Sequence, residues 1–155
     1  MNELKHNIAR DIQMEELTYQ RTLTITNDLK CVPQLNAFID EVCEDNGFDM
    51  ATTMQINLAI EEAVVNVMNY AYPKETEGDI TIEAKADKSK LSLIITDTGT
   101  AFDPTAKAEV DITLSAEERS IGGLGIHLIR QIMDNIYYER IDGHNVLTLI
   151  KKLNK

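Results

Sequence analysis

Alternating and helically spaced apolar positions divide the chain into a regular series of elements. From Leu17 the run LTYQRTLTIT is rich in Thr and β-branched residues and alternates, which predicts a strand closed by Asn27 and Asp28. A helix follows, opened near Pro33, with Leu35, Phe38, Ile39 and Val42 on one face and Gly47 as its stop. A longer helix is predicted from Ala51 to Tyr72, ended by Pro73, which cannot continue a helical ladder. DITIEAKAD (79–87) and KLSLIITD (90–97) predict two strands joined by a Lys-Ser turn. GGLGIHLIRQIMDN then opens a helix, and YYERID and NVLTLIKKL, separated at Gly143, form a closing hairpin.

Two stretches carry no such period. Residues 1–16 form a polar lead-in, and residues 98–121 form a long polar segment. A structureless loop of that length inside a compact domain is usually functional or mobile. A lid over residues 100–121 is therefore expected, hinged at Gly99 and at Gly122-Gly123. With no repeats, low-complexity tracts or linker, residues 17–155 make one α/β domain.

Composition narrows the function classes. At 155 residues, with 43% hydrophobic and 26% charged content, the chain has the profile of an ordinary soluble domain. No apolar run approaches the ~20 residues that span a bilayer, and the start is too polar for a signal peptide, so the expected location is the cytoplasm, with no membrane partner. Cys31 and Cys43 lack metal-ligand spacing and are expected as buried free thiols. A formal net charge of -11 argues against docking along nucleic acid. An acidic chain that binds an anion must build that site locally, from backbone N–H groups and helix ends.

Candidate chemistry begins on the long helix. Most of it is apolar, yet Gln55, Glu62, Asn66 and Asn69 share a narrow stripe at spacings of seven, four and three. A solvent-facing side accounts for Gln55 and Glu61. Glu62, Asn66 and Asn69, with no Lys or Arg among them, equally suit a metal-phosphate site, where Asn offers a neutral oxygen and Glu a base. The helix alone does not separate the two.

Two glycine boxes add a second signal. DTGTAFDP (97–104) follows an apolar strand, and GGLG (122–125) opens a helix. Glycines at a helix start admit a phosphate to backbone N–H groups, where the helix dipole also favours negative charge. Asp97, at a strand end with no adjacent cation, suits the amino group of a base. Either box alone could be a turn or a hinge. The order of helix with Glu-x-x-x-Asn, strand with Asp-x-Gly, long loop, then Gly-x-Gly is far less common by chance.

That order resembles the GHKL ATPases, and EAVVN followed by ERSIGGLGI resembles the RsbW and SpoIIAB type of anti-sigma-factor serine kinase, over roughly residues 17–153. The resemblance implies a two-layer α+β sandwich, with a mixed, mostly antiparallel sheet covered on one face by helices. It implies Glu62 as catalytic base, Asn66 as the Mg²⁺ ligand, Asp97 as the adenine-reading carboxylate, and Gly99 as the point where backbone approaches the base. Gly123 and Gly125 match the phosphate box, with Gly122 and Leu124 in the same motif and Arg119 as a catalytic lid arginine. Asn69 and Ala101 fall among the cofactor-binding positions; Ala101 stands where relatives commonly have a second Gly. Gly143-His144-Asn145-Val146 replaces a frequent Gly-Thr-Thr, and Tyr70 replaces a frequent His.

Histidine-kinase ATPase domains typically lack a Glu four residues before the Asn, because imidazole needs no base to be nucleophilic. Glu62 therefore favours a hydroxyl or water acceptor. His6, His127 and His144 have no dimerisation-helix context and carry no expected role. The implied protein uses ATP and Mg²⁺ to phosphorylate an anti-anti-sigma partner of the STAS type, sequesters a sigma factor, and forms a homodimer. The alternatives are a non-catalytic, nucleotide-gated binding module and an ATPase whose acceptor is water.

Overall fold

The computed structural model describes residues 16–106 and 123–153. Five strands form one sheet: β1 (Tyr19–Thr26), β2 (Asp79–Ala86), β3 (Lys90–Asp97), β4 (Asn135–Ile141) and β5 (His144–Lys152), in the order β1-β2-β3-β5-β4. Every neighbouring pair is antiparallel. The helices are α1 (Val32–Asp45), α2 (Met50–Asn66) and α3 (Gly123–Ile132). The chain forms the expected α+β sandwich, but the sheet expected to be mixed and mostly antiparallel is antiparallel at every pairing among the described residues.

Strand alternation decides which face of the sheet is covered. Ile80, Ile82, Ala84 and Ala86 of β2, Leu91, Leu93 and Ile95 of β3, and Leu147 and Leu149 of β5 are buried. They share one core with Leu35, Ile39 and Val42 of α1, Ile56, Ile60 and Val64 of α2, and Ile126 and Ile129 of α3. Successive strand residues point to opposite faces, so Thr81, Glu83 and Lys85 of β2 lie on the other side and are only partly covered.

Local chemistry sets the boundaries. Pro33 sits in the first turn of α1, where a missing N–H costs nothing. Asp49 caps α2 by accepting a hydrogen bond from the Thr52 N–H at 2.7 Å. The sequence predicts one helix to Tyr72, but the α-helix stops at Asn66 and Val67–Ala71 widen into a π-turn. Pro73 forces the residue before it out of the helical region, and Tyr72 is extended at φ -105 and ψ 129. The helix is also less hidden than its composition predicts. Met50, Met54 and Leu58 are exposed along one side.

Cys43 is buried in the core as expected, and burial pushes its thiol up to about 11. Cys31 is only partly covered. Among the described residues no helix is long and apolar enough to cross a membrane.

Candidate functional site

The predicted site residues gather around α2, the start of α3 and the ends of β3 and β5. Glu62 and Asn66 lie one turn apart on α2; Glu62 is half-buried and Asn66 is buried. Gly125, in the first turn of α3, faces both. A β-carbon on Gly125 would lie 2.9 Å from Glu62 Oε2 and 3.2 Å from Asn66 Nδ2. Only a glycine lets this helix start come so close to the carboxylate and the amide. The other members of the stripe separate from this pair, with Gln55 and Asn69 exposed, Asn69 within the π-turn.

Gly123 opens α3 and Leu124 follows it. Arg119, Gly122 and the remainder of the predicted lid beyond Ala106 lie outside the described residues.

The end of β3 forms the second cluster. Asp97 is buried, and its Oδ1 accepts hydrogen bonds from the Gly99 N–H at 2.8 Å and from Asn145 Nδ2 at 2.9 Å. Its Oδ2 is buried with no hydrogen-bond partner among the described residues. A buried acceptor without a partner costs on the order of 1–3 kcal/mol, which sets this oxygen apart from the other buried side-chain polar atoms of the described residues. Gly99 has a structural reason of its own. A β-carbon there would lie 2.3 Å from the Ala71 carbonyl oxygen, which ends the π-turn and accepts from Thr100 N at 2.7 Å. The two clusters are thus tied together through the π-turn that continues α2.

Residues 100–106, at the root of the predicted lid, are held at several points. Phe102 stacks on Tyr70 with ring centroids 5.4 Å apart. Pro104 is buried, and Arg130 of α3 donates to the Thr105 carbonyl at 2.9 Å. Ala101 itself is exposed.

Sequence reading did not foresee several supporting residues. Tyr72 accepts from the Thr98 N–H at 3.1 Å and donates to the Asp79 carbonyl at 2.7 Å. Arg140 donates to the Gly99 carbonyl at 2.8 Å. Asn145 pairs in register with Asp97 across β3 and β5. Only that last contact had a signal in the sequence, since antiparallel pairing of the two predicted strands would set their ends side by side. His127 and His144 lie apart from these contacts; the ring of His144 meets the Asp142 carbonyl.

The donor set fits a magnesium nucleotide. Among the described residues no three His, Cys, Asp or Glu side chains converge as a metal cage. Mg²⁺ is commonly held by one or two protein oxygens, with phosphates and water completing its shell, and Glu62 and Asn66 provide oxygens of that kind. Asp97 Oδ2 would suit a base amino group as an acceptor, and Gly125 brings the backbone at the start of α3 against Glu62 and Asn66.

Comparison with known proteins shows the family and the fold. Residues 25–151 match the family model described as the histidine kinase-like ATPase domain. The chain is 36% identical over 99 residues to the serine-protein kinase RsbW of Listeria monocytogenes serovar 1/2a, covering 60% of this chain and 63% of that protein. It is 32% identical over 94 residues to the serine/threonine-protein kinase BtrW of Bordetella bronchiseptica, covering 61% of this chain and 66% of that protein. These matches span less than two thirds of the relatives' own length. A crystal structure of the RsbU and RsbW domains of a Mycobacterium tuberculosis protein superposes with a TM-score of 0.64 at 16% identity, over 89% of this chain and 33% of that one. That likeness is one of fold. With residues 25–151 matching its model, and five strands and three α-helices among the described residues, the chain belongs to the histidine kinase-like ATPase domain family.

Proposed function

We propose that this chain is an ATP-dependent protein serine/threonine kinase that phosphorylates an anti-anti-sigma partner of the STAS type and, as a homodimer in the cytoplasm, sequesters a sigma factor. The observation that carries the reading is the approach of Gly125 to both Glu62 and Asn66, with the open Asp97 oxygen in the adjoining cluster. Similarity to the RsbW and BtrW kinases supports the choice of a protein hydroxyl as acceptor.

Each residue has a distinct task. Asp97 Oδ2 would accept the amino group of adenine. The backbone from Gly123 to Gly125 would meet the phosphates, with Gly122 and Leu124 in the same motif. Asn66 would hold Mg²⁺ through its amide oxygen, with Asn69, exposed in the π-turn, at the margin of the site. Bound MgATP supplies a phosphoryl group whose charge the metal partly neutralises. Glu62 would take the proton from the partner's hydroxyl as that oxygen bonds to the terminal phosphorus, the bond to the bridging oxygen breaks and ADP leaves, a contribution of about 10²- to 10⁴-fold for a positioned base. Arg119 would face the charge that develops.

Incubation of the purified chain with labelled ATP and Mg²⁺, with and without a STAS-type protein encoded nearby, tests this reading. Label on a Ser or Thr of the partner is the expected result. Free phosphate alone would make water the acceptor. ATP-dependent capture of the partner without any label would make the chain a nucleotide-gated binding module.

A further inference from the structure

Asn145 stands at the start of β5 opposite Asp97, and all of its side-chain hydrogen-bonding capacity is used. Its Nδ2 donates to Asp97 Oδ1 at 2.9 Å and to the Thr100 carbonyl at 2.8 Å. Its Oδ1 accepts from the Phe102 N–H at 3.1 Å and from the Tyr138 hydroxyl. The orientation of the amide is fixed by these partners, because the Phe102 N–H can only donate and the Thr100 carbonyl can only accept. No hydroxyl side chain could make this set, since Ser and Thr have a single O–H to donate.

The consequence falls on Asp97. With Gly99 N and Asn145 Nδ2 both on Oδ1, that oxygen is occupied and the carboxylate cannot turn without breaking two hydrogen bonds. Oδ2, itself buried, is left without a partner among the described residues, and the carboxylate as a whole is only 2% exposed. A ligand edge that brings an N–H is accepted there. An edge that brings an oxygen meets a fixed negative charge with no room to rotate away.

We infer that Asn145 is the positioning residue that makes Asp97 selective for a 6-amino purine over a 6-oxo purine. This inference rests on the nucleotide reading above and goes beyond it, because it assigns selectivity to a residue other than the carboxylate that meets the base. The same amide also fixes the backbone at Thr100 and Phe102, so base selection and the root of the following segment share one side chain.

The test compares ADP and IDP binding by calorimetry for the wild type, N145L and N145D, with thermal melts to establish folding. The wild type should prefer ADP by about 10- to 100-fold, the range of one hydrogen bond to a charged group. N145L removes the brace at similar size, and the preference should fall to within a few-fold. Uniform destabilisation would lower both affinities together and leave that ratio unchanged. N145D supplies a second reading should N145L fail to fold. Its introduced carboxylate can hold Asp97 only by sharing a proton with it, and like charges raise the pKa of such a pair. Tyr138, which feels the charges of Arg140, Asp103 and Asp97, and Arg140 at the Gly99 carbonyl are common to both proteins.

ADP affinity of N145D relative to the wild type should therefore be retained at low pH and lost as pH rises. An N145L that keeps the wild-type ADP to IDP ratio, or an N145D with a flat pH profile, overturns the role of Asn145 while leaving nucleotide binding intact. A wild type that binds neither nucleotide overturns both readings.

Discussion

Gly125→Ala separates the fold from the chemistry more sharply than any other single change. The added β-carbon would sit 2.9 Å from Glu62 Oε2, whereas ordinary van der Waals contact begins near 3.4 Å, so the carboxylate must retreat by 3.4 - 2.9, about 0.5 Å. Asn66 Nδ2, at 3.2 Å, must give by a smaller amount. The fold pays little for this, because the nearest atom is the free end of a half-buried side chain. Replacing Gly by Ala in a helix is itself favourable by up to ~1 kcal/mol. The melting temperature should stay within about 4 °C of wild type, the shift expected for 1 kcal/mol in a domain of this size. Phosphotransfer should fall by roughly 10- to 100-fold, since ångström-scale misplacement of a reacting group costs up to ~10² in rate. Melting curves and single-turnover transfer to the partner protein, measured on the same preparation, provide the comparison. A folded variant that transfers phosphate at the wild-type rate would refute the link between the α3 start and Glu62. A melting temperature lowered by more than 10 °C would refute the claim that the fold tolerates the change.

Three further outcomes concern stability. Asp49→Ala should destabilise the fold by removing the cap on α2, read as a lowered urea midpoint with an unchanged slope. Because the Thr52 backbone and side chain hold the Asp49 carboxyl below its usual value, the wild-type advantage should be present above about pH 4 and shrink as pH falls through the lowered folded pKa. Tyr72→Phe leaves the Thr98 N–H and the Asp79 carbonyl without their phenol; both residues are exposed, so water limits the loss to about 1 kcal/mol, again read by urea. Burial raises the Cys43 thiol from 9.0 to about 11, so its contribution to stability is full below pH 9 and is lost as pH rises through 11. Cys43→Ala should remove that part of the alkaline decline, and an identical decline in the variant would contradict the assignment.

Much of the fold was legible because its elements are strongly patterned. The alternation in 79–87 and 90–97 gave β2 and β3 to within a residue, and Pro33 and Pro73 bounded the helical region correctly. The π-turn at Val67–Ala71 was not legible, since its residues have ordinary helical spacing and the departure is made by Pro73 and by contacts from Thr100. The exposure of Met50, Met54 and Leu58 was hidden for a related reason. Apolar content says that a helix is able to be buried, while its neighbours decide which side is covered.

The site divides in the same way. Glu62, Asn66, Asp97, Gly99 and Gly125 carry local motifs, and the fold brings them into two linked clusters. Arg140 and Tyr72 act on residues far away in sequence and no motif marks them, while Asn145 lies in the segment that replaces a frequent Gly-Thr-Thr, a departure that does not itself reveal the contact with Asp97. Gly99 shows how a motif residue acquires a packing reason that the motif does not state, because its close neighbour is the Ala71 carbonyl.

The central claim is that Glu62 activates a protein hydroxyl while the rest of the site holds MgATP. Transfer of labelled phosphate from ATP to the STAS-type partner, compared between wild type and Glu62→Gln at matched nucleotide occupancy, tests it most directly. Glu62→Gln keeps the size and most of the hydrogen bonding of the side chain and removes the base. Nucleotide binding and sigma-factor capture should survive, while transfer should fall by about 10²- to 10⁴-fold. Transfer by Glu62→Gln at the wild-type rate, with nucleotide equally bound, would contradict the account.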